Sequence, residues 1–257
     1  QERQLLFKID ECSKPIPAVV DADLDLMEFA GLWLADGCYD GKYGMVLSVG
    51  EEELKSVVRR VTDKFGLKTR MHSDAFSTMA SNTNLVWFFK NVVGLNGDAY
   101  TKKMPAWAWS SSEKQKSALL RGLYSGDGSV SKYEVNLSLC SKQLVEETQT
   151  MLLSFGVHSR MATVPNKRDK TYALRVSSVE FQKKFLQIGF LNPLKQQKLE
   201  KLAKRMPTHD VGDVIPLSNQ VKELISQSSP KFNSHDYIAR QNNIGRRKLT
   251  EIASSCS

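Results

Sequence analysis

The sequence predicts an α+β fold in which two copies of one helix–strands–helix–strands–helix unit pair about a pseudo-twofold axis. Three observations support this prediction: a nine-residue motif occurs twice, similar strand and helix patterns follow each copy, and helices in both halves end in Phe-Gly. Two copies are too few for a solenoid, whose repeats must stack into a continuous core. We therefore expect two repeats of roughly 90 residues that pair as the two halves of a dimer would.

The duplicated motif occupies residues 29–37 and 120–128. The segments FAGLWLADG and LRGLYSGDG share a Gly-Leu pair, an aromatic residue, a small residue and a final Asp-Gly pair. The two aspartates, Asp36 and Asp127, lie 91 positions apart. One such segment would be typical of an ordinary amphipathic helix with a glycine cap, but two matched copies favour a common role in a pseudo-dimer.

Small residues four positions apart mark one face of each motif helix: Gly31 with Ala35, and Gly122 with Gly126. Residues at this spacing lie on the same side of an α-helix, so two helix backbones can approach closely there. Twofold packing would then bring both C-terminal aspartates to the same end of the helix pair. Two carboxylates that close repel each other unless a cation lies between them, which favours a metal site over a proton-sharing acid pair.

The patterns after each motif justify the next elements of the repeat. Residues 43–49 and 133–139 alternate in polarity, which is typical of half-buried strands. Residues 51–65 and 141–155 place apolar side chains at helical spacing, and Ser141 is the predicted N-cap of the second of these helices.

Both of these helices end in Phe-Gly, so Gly66 and Gly156 are expected in left-handed C-terminal caps. Each half then continues with short strands and a further helix that leads to a Gly-Leu or Gly-Phe pair. The predicted strands are 67–72, 157–161 and 172–176, and the predicted helices are 84–93 and 179–188.

The formal net charge of +8 is unevenly distributed. Residues 1–41 contain nine acids against three bases, whereas residues 159–205 contain twelve Lys or Arg against three acids. A basic stretch of that density can neutralise phosphates and release counterions, although a solvated surface would have the same composition.

Four cysteines, at positions 12, 38, 140 and 256, have neither CxxC spacing nor a histidine partner, so we expect free thiols rather than a zinc site. No apolar run approaches the roughly 18 residues of a membrane span, and the N-terminus has no signal-peptide pattern. The sequence therefore predicts a soluble, intracellular protein with no membrane partner.

The two motifs resemble those of the LAGLIDADG homing endonucleases, most closely the two-repeat subclass found inside inteins. The resemblance covers about residues 24–205. The sequence departs from the family pattern in mid-motif, at Trp33-Leu34 and Tyr124-Ser125, where the family often has an aliphatic residue followed by aspartate, and at Arg121, which replaces a small residue. These positions pack or face solvent in the family, so the departures leave the expected chemistry standing.

A second resemblance lies between the motifs, in residues 94–105, GLNGDAYTKKMP. It is similar to the family's inter-repeat signature, a Gly-Leu pair followed by Lys-x-aliphatic-Pro, whose first lysine reaches the active site and is here Lys102. The counterpart in the second repeat is expected at Lys195, with Lys198 as the competing candidate. Either lysine would polarise the attacking water or neutralise phosphate charge.

The resemblance implies a site-specific endonuclease that acts on a long, pseudo-symmetric double-stranded DNA target as a monomer. It would make a double-strand break across the minor groove by metal-dependent phosphodiester hydrolysis. The expected cofactor is Mg²⁺, or Mn²⁺, with Ca²⁺ as a non-catalytic substitute, because such hard cations prefer oxygen ligands. The expected ligands are Asp36 and Asp127, with the backbone carbonyls of Ala35 and Gly126.

The strands of each half are expected to form a curved antiparallel sheet that lies in the major groove. The side chains predicted to contact DNA are exposed alternates of these strands, the 164–170 loop and a basic run near the C-terminus: Lys68, Arg70, Ser138, Arg160, Lys167, Arg168, Lys170, Arg175, Arg246 and Arg247.

The sequence predicts four segments: a leader or linker at 1–23, the first repeat at 24–106, the second repeat at 107–206 and a small helical extension at 207–257. The extension is interpreted either as an additional DNA contact or as a stabilising appendage. Neither end of the sequence has the residues of protein splicing, so we expect no splicing activity. Two alternatives to the endonuclease remain on the same scaffold, an RNA-splicing maturase and a DNA-binding protein without catalysis.

Overall fold

The structure is a computed structural model that describes residues 5–72, 74, 76–165 and 170–206. A short antiparallel pair comes first, β1 (Leu6–Phe7) with β2 (Ile16–Pro17). The first repeat then consists of α1 (Leu24–Asp36), β3 (Gly37–Asp40), β4 (Gly44–Leu47), α2 (Glu52–Lys64), β5 (Thr69–Met71), β6 (Thr78–Ser81) and α3 (Thr83–Phe88), which continues into a π-helical turn, Phe89–Val93.

The second repeat has the same order of elements. A 3₁₀ segment, Ala106–Ser110, leads into it. Its elements are α4 (Glu113–Asp127), β7 (Gly128–Val130), β8 (Val135–Leu139), α5 (Lys142–Leu153), β9 (Arg160–Pro165), β10 (Lys170–Val176) and α6 (Val179–Phe185), and one further helix follows, α7 (Pro193–Ala203). The predicted αββαββα order is therefore confirmed in both halves.

Each repeat contains one four-stranded antiparallel sheet. The strand orders are β3-β4-β6-β5 and β7-β8-β10-β9, so the two sheets have the same topology. In the second sheet Val135, Leu137 and Val176 are fully buried on one face, whereas Ser138 on the alternate positions is exposed. One face of the sheet thus packs on the helices, and the other is free for a partner.

The two motif helices, α1 and α4, form the centre of the molecule. A Cβ atom on Gly31 would lie 2.0 Å from the carbonyl oxygen of Leu119, and one on Gly122 would lie 2.1 Å from that of Glu28. Only glycine can occupy both positions while the backbones stay this close. The predicted close approach at the small residues is therefore confirmed.

An ion pair links the same two helices. Arg121 Nη1 donates to Glu28 Oε1 at 2.8 Å, and the glutamate is 7% exposed. Burial raises the pKa of Glu28, while Arg121 and then Arg60 oppose this shift. The residue that departs from the family motif at position 121 thus supplies the charge partner for a buried acid on the other repeat.

The helix caps lie where the sequence predicts them. The Ser141 side chain accepts from Leu144 N at the start of α5, and Gly66 and Gly156 have φ values of 66° and 65°. Both glycines therefore adopt the left-handed conformation expected after the Phe-Gly ends.

Two predicted elements have boundaries that differ from those in the structure. The strand expected at 157–161 begins at Arg160 and continues to Pro165, because the N–H of Val157 still donates to the carbonyl oxygen of Leu152 at the end of α5, at 3.0 Å. The helix expected at 84–93 turns from α into π geometry at Phe89.

The N-terminal segment, expected to be a leader or linker, packs on the first repeat. Ile16 is fully buried, and the Phe7 ring stacks on Trp87 with centroids 5.0 Å apart. Asn84 Oδ1 accepts from the backbone N–H groups of Ile9 and Asp10, both at 2.9 Å. The hydrogen bonds of a buried asparagine thus fasten the segment to α3.

No helix in the described part of the chain is long and apolar enough to cross a membrane. Cys12, Cys38 and Cys140 carry free thiols. The extension predicted at 207–257 lies outside the described residues.

Candidate catalytic site at the paired helix ends

Asp36 and Asp127 are the last residues of α1 and α4, and each is followed at once by the glycine that begins a strand. A Cβ atom on Gly37 would lie 2.4 Å from the Trp33 side chain. The chain can therefore turn from helix to strand directly after the aspartate only if glycine follows it. The Asp-Gly pair of the motif is the local cause of the position of each carboxylate.

The two aspartates lie at the contact between the repeats. Asp36 Oδ2 lies 3.2 Å from where a Cβ on Gly126 would be, and the Cβ of Ala35 is 2.5 Å from the same point. The Asp36 carboxylate therefore lies against the last turn of the other repeat's helix, one residue before Asp127. Both aspartates are half-buried.

Each predicted lysine donates to the C-terminal carbonyls of its own repeat's motif helix. Lys102 Nζ lies 2.9 Å from the carbonyl oxygen of Trp33 and 3.2 Å from that of Ala35. Lys195 Nζ lies 2.7 Å and 3.3 Å from the carbonyl oxygens of Ser125 and Gly126. An ammonium group at this point also interacts favourably with the negative end of the helix dipole.

The structure distinguishes the two lysines that compete in the second repeat. Lys195 lies at the end of α4, whereas Lys198 lines a separate cavity with Lys201 and Arg205. Lys102, in the first repeat, is only 4% exposed, so its charge is held inside the protein.

The four groups influence one another electrostatically. Burial and the charge of Asp36 together raise the pKa of Asp127 to about 7, while both lysines oppose the shift. Burial also raises the pKa of Asp36 against the same two lysines. Burial lowers the pKa of Lys102 to about 8 and lowers that of Lys195. Titratable groups so strongly shifted at one place are typical of functional sites.

A third carboxylate, which the sequence patterns did not indicate, lies beside this cluster. Glu51 is the N-cap residue of α2, and its Oε1 accepts from Asn192 Nδ2 of the second repeat at 3.3 Å. Among charged neighbours it is the strongest influence that opposes the lowered pKa of Lys195, and it contributes to the raised pKa of Asp36.

The corresponding N-cap in the second repeat is Ser141, whose Oγ donates to the backbone oxygen of Lys102 at 2.6 Å. Each repeat's second helix therefore begins beside the lysine segment of the other repeat. Alignment of the two halves would have placed Glu51 opposite Ser141 and could have indicated its position.

The oxygen atoms of this site supply some, but not all, of the ligands that a hard divalent cation needs. Among the described residues no group of three or more His, Cys, Asp or Glu side chains is arranged to hold a metal ion. Two carboxylates, with raised pKa values that a nearby cation would lower, provide charged oxygen ligands. The carbonyl oxygens of Ala35 and Gly126 already accept from lysine, and each retains a second lone pair. Oxygens from an anionic substrate would complete such a site.

Of the predicted DNA-contacting side chains that the structure describes, Ser138, Arg160 and Arg175 lie on the face of the second sheet away from the core, whereas Lys170 begins β10 and Lys68 precedes β5. Arg175 is paired in register with Arg160 on one side and Asn136 on the other, which forms a polar row across the second sheet. Ser138 and Lys170 are exposed, as are Lys68 and Arg70 beside the first sheet. Lys167, Arg168, Arg246 and Arg247 lie outside the described residues.

A family model matches within the second repeat. Residues 114–188 match the LAGLIDADG-like domain. This range begins in α4 and ends after α6, so it covers the αββαββα unit of that repeat almost completely.

Curated relatives match over longer stretches. The chain is 27% identical over 193 residues to a replication factor C small subunit of Methanocaldococcus jannaschii, which covers 72% of this chain and 10% of that protein. It is 31% identical over 150 residues to a DNA gyrase subunit of Mycolicibacterium flavescens, covering 55% and 26%. The chain spans only 22%, 18% and 10% of the first three relatives.

Among solved structures, the homing endonuclease I-DmoI in complex with DNA and Ca is similar in fold. The TM-score is 0.51 at 17% sequence identity, and the match covers 71% of this chain and 98% of that one. At this identity the comparison shows a shared fold. The described core of this chain thus has the two-repeat architecture of that endonuclease.

Proposed function

We propose that the chain is a LAGLIDADG-type, site-specific, divalent-metal-dependent DNA endonuclease, a proposal that its matched domain and its fold support. The observation that carries the proposal is the convergence of four side chains, Asp36, Asp127, Lys102 and Lys195, at the adjoining ends of two paired helices. Each repeat contributes one aspartate and one lysine, which suits a reaction carried out once on each of two DNA strands.

The residues of the site would divide the work of phosphodiester hydrolysis. Asp36 and Asp127 would hold Mg²⁺ or Mn²⁺, and Ca²⁺ would bind without supporting turnover. Such a cation supplies an activated water and neutralises charge on the phosphate. The structure of I-DmoI that shares this fold contains Ca and DNA, which supports oxygen-ligated divalent metal at this type of site.

The two lysines would act on the phosphate and on the water. With a pKa of about 8, the Nζ of Lys102 is mostly protonated at pH 7, so it can donate a hydrogen bond to a phosphate oxygen. The same pKa lies close enough to neutrality that Lys102 Nζ can also exchange a proton during the reaction. Burial, which lowers this pKa, therefore suits the lysine to both tasks.

The long DNA target would lie across both sheets. Their exposed faces carry the polar row of Arg160, Arg175 and Asn136 in one repeat and Arg70 in the other. An antiparallel sheet with one solvent-facing side can read base edges in the major groove. One chain with two sheets would act as a monomer on a pseudo-symmetric site.

The relatives support the homing part of the proposal. The same block of sequence matches a small part of a replication factor and a small part of a DNA gyrase, proteins with different functions. We infer that the block is an inserted module, as the endonuclease segment of an intein is. Its target would be an uninterrupted copy of the gene that contains it.

The experiment that tests the proposal is cleavage of a plasmid library made from genomes that lack this gene, since an interrupted site is no longer a target. With Mg²⁺ present, the protein should convert a subset of plasmids to linear DNA, and sequencing of the ends should reveal one long site. Asp36→Asn and Asp127→Asn should each abolish double-strand cleavage and retain DNA binding. Asp63→Asn, an exposed aspartate on α2, is the matched control and should cleave normally.

Two other outcomes distinguish the alternatives. Binding of a specific DNA site without cleavage by the wild-type protein would favour a DNA-binding protein without catalysis. Selective binding of a structured RNA, with no DNA cleavage, would favour the maturase. Full cleavage by the double variant would refute the assignment of the two aspartates.

A further inference from the structure

The last described helix, α7, has one basic face. Lys195, Lys198 and Lys201 follow one another at intervals of three residues, which places them along one side of the helix, and Arg205 follows two residues after the helix ends at Ala203. The row begins at the catalytic site, where Lys195 Nζ contacts the end of α4. It ends at the β7–β8 hairpin, where Arg205 Nη1 donates to the backbone oxygen of Lys132 at 2.7 Å.

A cavity of about 390 Å³ opens at the outer end of this row. Its charged lining is entirely basic and consists of Lys132, Lys198, Lys201 and Arg205. The Nε–H of Arg205 is buried and has no hydrogen-bond partner among the described residues. A buried donor without a partner is rare unless a water or a ligand satisfies it, so the cavity has the chemistry of an anion site.

Two acidic residues close in sequence to Lys201 and Lys132 have other partners. Glu200 accepts from Gln196 at 3.0 Å on another side of α7. Glu134, in the adjacent hairpin, accepts from Ser177 and lies 3.7 Å from Arg175. Lys195 faces the carboxylates of the candidate site and Arg205 lies over the Tyr133 ring, whereas Lys198 and Lys201 have no ion-pair partner among the described residues. The positive charge of these two lysines is therefore left for a ligand.

The first repeat contains only half of this arrangement. Lys42 lies over the Tyr43 ring at 5.1 Å, just as Lys132 lies over Tyr133 at 5.2 Å, so the two hairpin tips are equivalent. After Lys102, however, the chain enters the 3₁₀ segment and α4, and no helix corresponding to α7 covers the tip. The basic cavity is thus a feature of the second repeat within the described structure.

We propose that the basic face of α7, with Lys132, binds the phosphate backbone of duplex DNA outside the cleavage centre, on the side of the second repeat only. This inference rests on the proposed function. The helical part of the row, from Lys195 to Lys201, spans about 9 Å of helix axis, which matches roughly three phosphate steps along one strand. The lysine at the scissile position and the row beyond it would follow the same strand.

Such contacts are made to phosphates, so they position the duplex and carry no sequence information. They differ in this respect from the exposed side chains of the two sheets. The protein would therefore hold one half of its target more tightly than the other, by a contact that does not depend on base sequence.

The test measures the salt dependence of binding to a short duplex of unselected sequence, by fluorescence anisotropy in EDTA to prevent cleavage. Lys198→Ala and Lys201→Ala should each lower the slope of log K against log salt by about 1, and weaken binding roughly eightfold at 0.1 M salt. Lys204→Ala removes the same charge at the C-cap of α7, three residues after Lys201 and outside the cavity lining. It should change binding less than twofold, as should Lys42→Ala on the other hairpin tip.

Equal losses for Lys201→Ala and Lys204→Ala would show that only net charge matters and would overturn the inference. So would unchanged binding by the Lys198→Ala, Lys201→Ala double variant in a protein whose wild type binds. Failure of the wild type to bind duplex DNA at all would instead contradict the proposed function. Circular dichroism of each variant checks that these exposed substitutions leave the fold intact.

Discussion

At the scale of single residues, burial sets the protonation of the two carboxylates that we propose as catalytic, Asp36 and Asp127. Asp127 has a pKa of about 7 because burial and the charge of Asp36 together outweigh the effect of Lys102 and Lys195. The ionised form of the site is therefore destabilising to the fold. A bound cation would offset that effect, and removal of the charge by mutation should do so as well.

We therefore predict that Asp127→Asn stabilises the metal-free protein at high pH. The raised pKa means that the folded state holds a proton that the unfolded state releases, so wild-type stability should fall as pH rises from about 4 to about 7. The variant lacks this titration. Urea unfolding in EDTA should show a gain on the order of 2 kcal/mol at pH 8 and little gain at pH 4. Asp63→Asn is the control, and an equal gain at both pH values would contradict the prediction.

We expect Glu51 to influence the cleavage of only one of the two DNA strands, the one served by Lys195. It faces Lys195 from the first repeat, whereas the equivalent N-cap, Ser141, has no charge to offer Lys102. Without this carboxylate the pKa of Lys195 should fall further. Glu51→Gln should therefore slow cleavage of the strand served by Lys195 about tenfold, or ~1.4 kcal/mol.

The measurement for Glu51→Gln is the conversion of a supercoiled plasmid carrying the cleavage site, in which nicked circles should accumulate before linear DNA. The pH profile of the slowed strand should shift downward with the pKa of Lys195. Glu53→Gln, in the same helical turn and exposed, serves as the control. An equal slowing of both strands would indicate a structural role and refute the positioning role.

At the scale of elements, α1 and α4 can pack closely because glycine has no side chain at the contact, and not because glycine has a flexible backbone. We predict that Gly122→Ala destabilises the protein by at least about 3 kcal/mol, because its Cβ would lie 2.1 Å from the Glu28 carbonyl oxygen. In a free helix the same substitution would stabilise by about 1 kcal/mol. Gly41→Ala is the matched control, because its Cβ would meet no atom within 4 Å. Only the strain of a φ of 59° should lower its free energy of unfolding, by about 1 kcal/mol. Similar losses for both variants, in chemical denaturation, would rule out the steric explanation.

The elements that could be predicted from sequence are those whose signals are local and repeated. The Phe-Gly ends, the N-cap at Ser141 and the alternation in β8 all depend on neighbouring residues, and they lie where expected. The first two strands could not be predicted because they are only two residues long and are held by Asn84, far along the chain. The position of Glu51 beside the site could not be predicted either, because its partner Asn192 lies in the other repeat, far along the chain.

At the scale of the whole molecule, the two repeats share one hydrophobic core. The cluster of buried side chains runs from Ile16 in the N-terminal pair, through α1 and α4, to Leu202 in α7. The additions to the twofold plan are unequal: the N-terminal pair packs on the first repeat, and α7 packs on the second. A pseudo-symmetric centre with different flanks would suit the proposed DNA target if its two halves are similar without being identical.

The shared core predicts that the two repeats unfold as one cooperative unit. All four tryptophans, at positions 33, 87, 107 and 109, precede the second motif helix, so tryptophan fluorescence reports on the first repeat and its linker. Far-ultraviolet circular dichroism reports on both repeats. The two transitions should coincide in urea, as expected for two-state unfolding.

Ile16→Ala should move both transitions together. The substitution removes a fully buried side chain in the segment that packs on the first repeat, and we expect a loss of about 3 kcal/mol. If the repeats were independent, fluorescence would shift to lower urea while a second phase, seen only by circular dichroism, stayed in place. Val19→Ala, an exposed valine three residues along the same segment, should leave both curves unchanged. Coincident shifts would mean that the order of both halves of the proposed catalytic site depends on packing contributed by the N-terminal segment, far along the chain from Lys195.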